Sequence, residues 1–326
     1  MPLISIALIA ALYIAWNIGS NDISNLISTS VGSESMRLKK AVAMVSIFTF
    51  IGAILLGDKV IATIGTGIVP SGYITQIGAI TSLLAAGAWV SLCTLKRLPA
   101  STTHSIVGAI AGLGLITNVP VHWDMVSTIA IGWLISPLLG MVLAFYTCYM
   151  VRFLFIKRVK SIPERSRLEE KFKILQAIAT AYVALALGGN SIANAVGLVG
   201  AILPTADISL KIAASLMMAL GAVTLGPRLV SKVGNELVEL TPSRGFSAQF
   251  AAATVVLTFT VLGMPVSTTQ VLVTSIIGAG LALGVNALNT MAIRKMLFTW
   301  IATPMASAIL SILAYKAIIL ANFLLL

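Results

Sequence analysis

Gly19-Ser-Asn-Asp-Ile-Ser-Asn25 is answered later in the chain by Gly188-Gly-Asn-Ser-Ile-Ala-Asn194. Pro99-Ala-Ser-Thr-Thr-His104 is answered by Pro265-Val-Ser-Thr-Thr-Gln270. Asn21 and Asn190 lie 169 residues apart, and Ser101 and Ser267 lie 166 apart. A third landmark, Trp133-Leu-Ile-Ser-Pro137, returns 167 residues on as Trp300-Ile-Ala-Thr-Pro304. Three landmarks at nearly one period make the chain a duplication. In an apolar chain, a repeat this long points to a membrane transporter of two homologous halves, whose duplicated polar segments meet near the bilayer midplane.

The composition agrees. Of 326 residues, 58% are apolar and 10% charged, where a soluble domain carries about 25% charge. The mean hydropathy is +1.03. Residues 60–95, 98–123, 125–151, 174–206 and 245–293 are free of Asp, Glu, Lys and Arg. A helix crosses with about 20 apolar residues, so the last run is long enough for two crossings. Residues 1–21 are uncharged as well, with no basic segment before them and no small-residue cleavage site after. They read as a first membrane helix rather than a removed signal peptide.

The net charge of +11 does not point to nucleic acid. Of the 21 Lys and Arg, 8 fall in residues 152–173, with further groups at 37–40, 96–97 and 294–295. Basic loops between apolar spans follow the positive-inside rule. Cys93 and Cys148 lie inside apolar runs and read as small buried hydrophobes, without disulfide or zinc-ligand spacing. No Walker A, kinase, protease or zinc motif is present in the sequence. That argues against an ATP-driven pump in this chain, and no nucleophile–base set supports a membrane enzyme.

The segment 157–172 divides the chain into repeat 1 (1–156) and repeat 2 (173–326). Its Lys/Arg excess predicts that it is cytoplasmic. Working outward from it, helix 41–56 runs inside to outside, and 73–117 returns to the side it left, as a re-entrant hairpin or as two crossings. Arg37 to Lys40 falls inside and the N-terminus outside. In repeat 2, Pro204-Thr-Ala-Asp207 falls outside, while Arg228, Lys232, Arg244, Arg294 and Lys295 fall inside. The C-terminus is predicted outside. Each half then crosses an odd number of times, which makes the repeats antiparallel. The predicted fold is thus an all-α integral membrane protein of two inverted-topology repeats with broken helices, multi-pass in the cell membrane.

Two kinds of segment carry chemistry. Asp22, Asn21 and Asn25 interrupt an apolar helix, and an intramembrane carboxylate is costly unless paired or hydrated. Asn190 and Asn194 repeat the spacing of four, which places both on one helical face. Gly19 and Ser20, and Gly188 and Gly189, permit unwound turns. Two such turns would offer amide, carbonyl and carboxylate oxygens to a small cation. Polar residues that only glue helices together are the bland alternative, and the matched second copy weighs against it. Ser101, Thr102 and Thr103, and Ser267, Thr268 and Thr269, each follow a proline. Proline favours a helix's first turn and Ser/Thr its N-cap, so each triplet reads as the start of a half-helix. Free N–H groups and a partial positive charge there suit an oxyanion such as phosphate. His104 is a weaker anion donor, because Gln270 replaces it in repeat 2. Asp58-Lys59 reads as a loop pair, and Glu236 and Glu239 as a solvated cytoplasmic face.

At these residues the chain resembles the inorganic phosphate transporter family of cation-coupled symporters over essentially its whole length. Gly19-Ser-Asn-Asp-Ile-Ser-Asn25 is similar to that family's duplicated Gly-Ala-Asn-Asp-Val-Ala-Asn signature. Leu98-Pro-Ala-Ser-Thr-Thr-His-Ser105 and Thr241-Pro-Ser-Arg-Gly-Phe-Ser247 resemble other segments of the same family. The resemblance implies inward phosphate symport with Na⁺ or H⁺, re-entrant helical hairpins and a homodimer, with no resident cofactor. It places Asp22, Asn25, Asn190 and Asn194 near the co-transported ions and the two Ser-Thr-Thr triplets around phosphate; the reading of the residues themselves adds Asn21 and Ser191 to the cation set, and Asn25 and Asn194 to the phosphate set. Three positions depart from the family pattern. Ser191 stands where the second copy often has Asp, and Thr49 and Gln249 where relatives often have Glu. Fewer carboxylates mean fewer proton carriers, so Na⁺ is the expected coupling ion. A proton-coupled symporter, a sulfate permease of the same superfamily and an anion channel are the competing readings.

Overall fold

The computed structural model describes residues 2–203, 208–227, 239–284 and 289–324. Pro204 to Asp207, Arg228, Lys232 and Glu236, to which the sequence assigned a side of the membrane, lie outside the described residues. The described elements are helices. Helix α1 (Pro2–Ile18) passes through one π-helical turn, Gly19–Ile23, into α2 (Ser24–Gly32). Then come α3 (Leu38–Leu56) and the short α4 (Asp58–Ala62). A hairpin of α5 (Gln76–Leu95) and α6 (Thr102–Thr117) follows, and α7 (Trp123–Leu154) completes the first half. The second half repeats the order: α8 (Ile162–Ile202), α9 (Ile208–Thr224), a hairpin of α10 (Pro242–Val261) and α11 (Thr268–Leu281), and α12 (Thr290–Leu324).

Six described helices are long and apolar enough to cross a membrane: 3–32, 38–56, 76–95, 123–158, 162–202 and 290–321. The second arms of the hairpins are shorter, with 16 residues in α6 and 14 in α11. At about 1.5 Å per residue, α11 reaches roughly 21 Å, short of the ~30 Å hydrocarbon core. Apolar side chains on α7 and α12 point away from the protein. Leu134 is 70% and Phe298 75% exposed, which suits lipid as the surrounding solvent.

The halves interlock. Helix α1 packs on α5 and α9, and α8 packs in the same way on α10 and α3. The last helix of each half closes on the hairpin of the other, α7 on α11 and α12 on α6.

Three sequence expectations change. The second predicted break does not occur: α8 is continuous α-helix through Gly188–Asn194, and the first is a π turn rather than an interruption. The glycines serve close approach instead. A Cβ on Gly19 would lie 1.7 Å from the Met218 carbonyl oxygen, and one on Gly188 would lie 2.0 Å from that of Thr49. Asp58 and Lys59 are helical, not a loop. Asp58 opens α4 and pairs with Lys211, and Lys59 Nζ donates to the Val261 carbonyl at 2.9 Å. The divider 157–172 is mostly the start of α8, capped by Ser161, whose Oγ accepts from the Glu164 N–H.

Candidate functional site

Each hairpin tip is built the same way. Ser101 caps α6 and Ser267 caps α11, their hydroxyls accepting the His104 and Gln270 backbone N–H at 3.1 and 3.2 Å. Such a bond satisfies one of the free donors at a helix start. The half-helices thus begin where the triplets predicted, although Pro99 and Pro265 lie two residues before the caps rather than in the first turn.

Asn21 and Asn190 hold the tips in place. Asn21 Nδ2 donates to Thr94 Oγ1 (2.9 Å) and the Leu98 carbonyl (3.3 Å), and its Oδ1 accepts from Ala100 N (3.2 Å). Asn190 does the same with Thr260 Oγ1 (3.0 Å), the Met264 carbonyl (3.1 Å) and Val266 N (3.2 Å). These bonds give both residues a structural role. They clamp the hairpin of their own half, and Thr94 and Thr260, which sequence reading passed over, are their partners.

Between the tips lies Asp22, 3% exposed. Thr102 Oγ1 donates to its Oδ2 at 2.6 Å and Thr269 Oγ1 to its Oδ1 at 3.0 Å. Asn194 Nδ2 donates to Thr102 Oγ1 (3.4 Å) and Thr103 Oγ1 (3.0 Å). Asn25 Nδ2 donates to Thr269 Oγ1 (3.2 Å). One hydrogen-bonded chain thus runs Asn194–Thr102–Asp22–Thr269–Asn25, and each asparagine reaches the triplet of the opposite half. Thr103 Oγ1 also crosses, donating to the Val266 carbonyl at 3.1 Å. Thr268, the first residue of α11, is buried beside them.

Three buried oxygens here have no hydrogen-bond partner: Asn25 Oδ1, Asn194 Oδ1 and Ser191 Oγ. No cationic side chain pairs with Asp22, since the ion pairs among the described residues are Lys173–Glu170 and Lys211–Asp58. An ionised carboxylate buried this deeply costs several kcal/mol unless compensated. The free amide oxygens of Asn25 and Asn194, which reach Asp22 through Thr269 and Thr102, and the free hydroxyl of Ser191, one turn before Asn194, are the hard donors a small cation takes.

Two tryptophans fasten the tips from behind, again across the halves. Trp133 Nε1 donates to the Pro265 carbonyl (3.1 Å) and Trp300 Nε1 to that of Pro99 (3.2 Å). The sequence showed these residues as landmarks without a role. His104 belongs to this layer rather than to the anion donors. Its ring stacks on Trp133 with centroids 3.8 Å apart, and its Nδ1 lies 3.3 Å from the Trp300 carbonyl. Trp300→Phe keeps the aromatic volume but strands the buried Pro99 carbonyl. It is expected to cost about 1–3 kcal/mol, read as a lower melting temperature of the purified protein than the wild type.

One polar feature is not duplicated. Ser30 Oγ meets Thr180 Oγ1 (2.8 Å), Thr180 Oγ1 donates to Gln249 Oε1 (2.8 Å), and Gln249 Nε2 donates to Ser30 Oγ (3.0 Å). Ser33 Oγ donates to Gln176 Oε1 at 2.8 Å. All five residues are buried. The positions one repeat away are Val199, Ala11, Leu83, Ile202 and Ala7, which are all apolar. The polar set lies between Asn25 and the Arg37 end of α2, on one side of the site.

Paired half-helices meeting around a buried carboxylate, in a bundle with a lipid-facing surface, define a membrane transporter. The chain belongs to the phosphate transporter family, whose profile matches residues 18–311. It is 31% identical to a protein of Thermococcus kodakarensis named "Putative phosphate permease", with 98% of each chain covered. A like-named Haemophilus influenzae protein is 30% identical, with 96% of each covered. Among solved structures it is similar to "The sodium-dependent phosphate transporter", with a TM-score of 0.89 and 26% identity over 98% of this chain and all of that one. The family is one of transporters, not enzymes.

Proposed function

We propose that this chain moves inorganic phosphate into the cell with Na⁺ by alternating access, and that Asp22 couples the two. Phosphate transport follows from family membership. Sodium is supported by the chemistry of the site and by the similar structure's stated dependence.

The observation that carries the coupling is the 2.6 Å bond from Thr102 to Asp22, with its partner from Thr269 at 3.0 Å. A hydroxyl has one proton to give. While Asp22 takes both protons, neither is available to an oxyanion. A cation on Asp22, completed by Asn25 Oδ1, Asn194 Oδ1 and Ser191 Oγ, competes for the carboxylate oxygens and releases those hydroxyls. Thr102 and Thr269 then turn to phosphate together with Thr103, Ser101, Ser267, Thr268 and the first N–H groups of α6 and α11. One cation neutralises Asp22 and removes its repulsion of the anion; each negative charge that phosphate brings then calls for a further cation to keep the site close to neutral in low dielectric. Neutral residues at Thr49, Ser191 and Gln249 leave Asp22 without a neighbouring carboxylate to pass a proton along, which favours Na⁺ over H⁺.

A two-fold relation between the halves is supported by the exchange of partners, and the odd number of crossings read for each half makes that relation an inverted one. Asn25 with Thr269 answers Asn194 with Thr103, and Trp133 with Pro265 answers Trp300 with Pro99. Such reciprocity fits two halves facing each other across a central axis. The unduplicated polar set from Ser30 to Gln249 lies toward the side that the positive-inside rule assigns to the cytoplasm. Those groups can exchange their bonds for water when that side opens. The homodimer rests on resemblance alone and is checked by cross-linking in membranes.

Labelled-phosphate uptake into proteoliposomes tests the reading, comparing an inward Na⁺ gradient with K⁺ at equal pH. Sodium-dependent uptake that excess sulfate does not block is the expected result. Uptake that follows a pH gradient and ignores sodium would contradict it, and block by sulfate would make the protein a sulfate permease. Thr102→Val and Thr268→Val are each expected to raise the KM for phosphate. A hydrogen bond to a charged group is worth about 1.5–3 kcal/mol, or roughly tenfold to a hundredfold. An unchanged KM in both variants would remove the triplets from the phosphate site.

A further inference from the structure

We propose that the hollow between the end of α7, the first turns of α8 and the start of α10 is a second anion site, which takes a phosphoryl group. The hollow is about 360 Å³ and is lined by Arg152, Lys157, Arg165 and Arg244. Glu169 is the one acid in its described wall, and both its oxygens are engaged. Oε2 accepts the Ser243 backbone N–H at 2.9 Å, and Oε1 accepts the Ser243 hydroxyl at 2.8 Å. It serves to cap α10, leaving the four cations without a carboxylate partner among the described ion pairs.

Two of the cations are held in place. Arg152 Nη1 donates to the Ala282 carbonyl at 3.2 Å, and Arg244 Nη1 to the Glu239 carbonyl at 2.7 Å. Each bond uses one of a guanidinium's five N–H groups, restrains the side chain and leaves four donors free. Planar, pre-set guanidinium forks match the oxygens of a phosphoryl group better than those of a spherical anion. Lys157 sits over the Phe153 ring at 5.9 Å and adds a point charge.

The site touches the moving parts. Ala282, the acceptor for Arg152, is the C-cap of α11, the half-helix whose other end carries Ser267 and Thr268. An occupant would tie α7 of the first half to α8, α10 and α11 of the second. Filling it is therefore expected to restrain the movement between halves. Its position on the cytoplasmic side rests on the orientation proposed above, whereas its anion chemistry does not. The phosphoryl group can come from a soluble phosphate compound or from an anionic lipid headgroup.

The test is the melting temperature of the purified full chain in sodium-free buffer at fixed ionic strength. It does not depend on transport, so its failure is separate from failure of the symport reading. One arm adds inorganic pyrophosphate as its potassium salt. The other compares phosphatidylglycerol with phosphatidylcholine in the surrounding lipid. A rise of about 2–4 °C with pyrophosphate, lost in Arg165→Gln, supports the site with a soluble ligand. The same rise with phosphatidylglycerol, lost in the variant, supports it with a lipid headgroup. Arg165→Gln alters an exposed side chain and should melt like the wild type without ligand. No shift in either arm, or equal shifts in wild type and variant, would overturn the proposal.

Discussion

Asp22→Asn is expected to abolish sodium-driven phosphate uptake while leaving a folded protein. The amide keeps the size of the carboxylate and can still accept a hydrogen bond from Thr102 or Thr269, so the chain from Asn194 to Asn25 loses little packing. It no longer carries the charge that pairs with a buried cation. Removing one partner of a buried ion pair costs about 3–5 kcal/mol, or on the order of 10²–10⁴-fold in affinity. Sodium binding should weaken by that range, and phosphate binding should lose its response to sodium. Equilibrium ²²Na⁺ binding to the purified variant, alongside its melting curve, checks both halves of the statement. A variant with unchanged sodium dependence would take the cation away from Asp22.

The second large effect is expected at the helix crossings. Gly19→Ala places a methyl group 1.7 Å from the Met218 carbonyl oxygen, and Gly188→Ala places one 2.0 Å from that of Thr49. Both neighbours are backbone, so a rotamer change cannot relieve the clash. The helices must part, and each crossing sits one turn from the site, next to Asp22 or Asn190. Overpacking of this kind typically costs about 1–3 kcal/mol and occasionally more. Here the upper end is expected, with much of the protein lost from the folded, monodisperse fraction on size-exclusion chromatography. Gly72→Ala is the control, because a Cβ there meets nothing within 4 Å. If all three variants behaved alike, close helix approach would not be what these glycines provide.

Much of this was legible in the sequence because the duplication samples each motif twice. A single Pro-x-Ser-Thr-Thr is a helix cap, whereas two at a fixed offset in an apolar chain mark two half-helices, and the structure starts α6 and α11 at those residues. Asp22 stood out because a carboxylate in an apolar run needs a reason. What the sequence did not disclose depends on three-dimensional pairing. Gly188 and Gly189 fit an unwound turn and a close crossing equally well, and nothing local distinguishes them; the backbone of α3 decides for the crossing. Asn21 and Asn25 share one helical face, yet one clamps its own hairpin and the other reaches across to Thr269. Spacing gives the face, not the partner. Of the polar set, Gln249 stands out in the sequence as a departure from the family pattern, but Ser30, Ser33, Gln176 and Thr180 are hidden because the set breaks the repeat and their residue types are unremarkable one at a time. A residue-by-residue comparison of the two halves, looking for polar positions answered by apolar ones, would have found it.

Sodium on Asp22 is proposed to free the Thr102 and Thr269 hydroxyls for phosphate. The most direct measurement is equilibrium binding of labelled phosphate to the purified protein, titrated with Na⁺ against K⁺ at constant pH and ionic strength. Linkage requires that sodium raise phosphate affinity by the same factor by which phosphate raises sodium affinity. Phosphate affinity is expected to climb with Na⁺, stay flat with K⁺, and show the reciprocal gain when the titration is reversed. A phosphate affinity indifferent to sodium would contradict it.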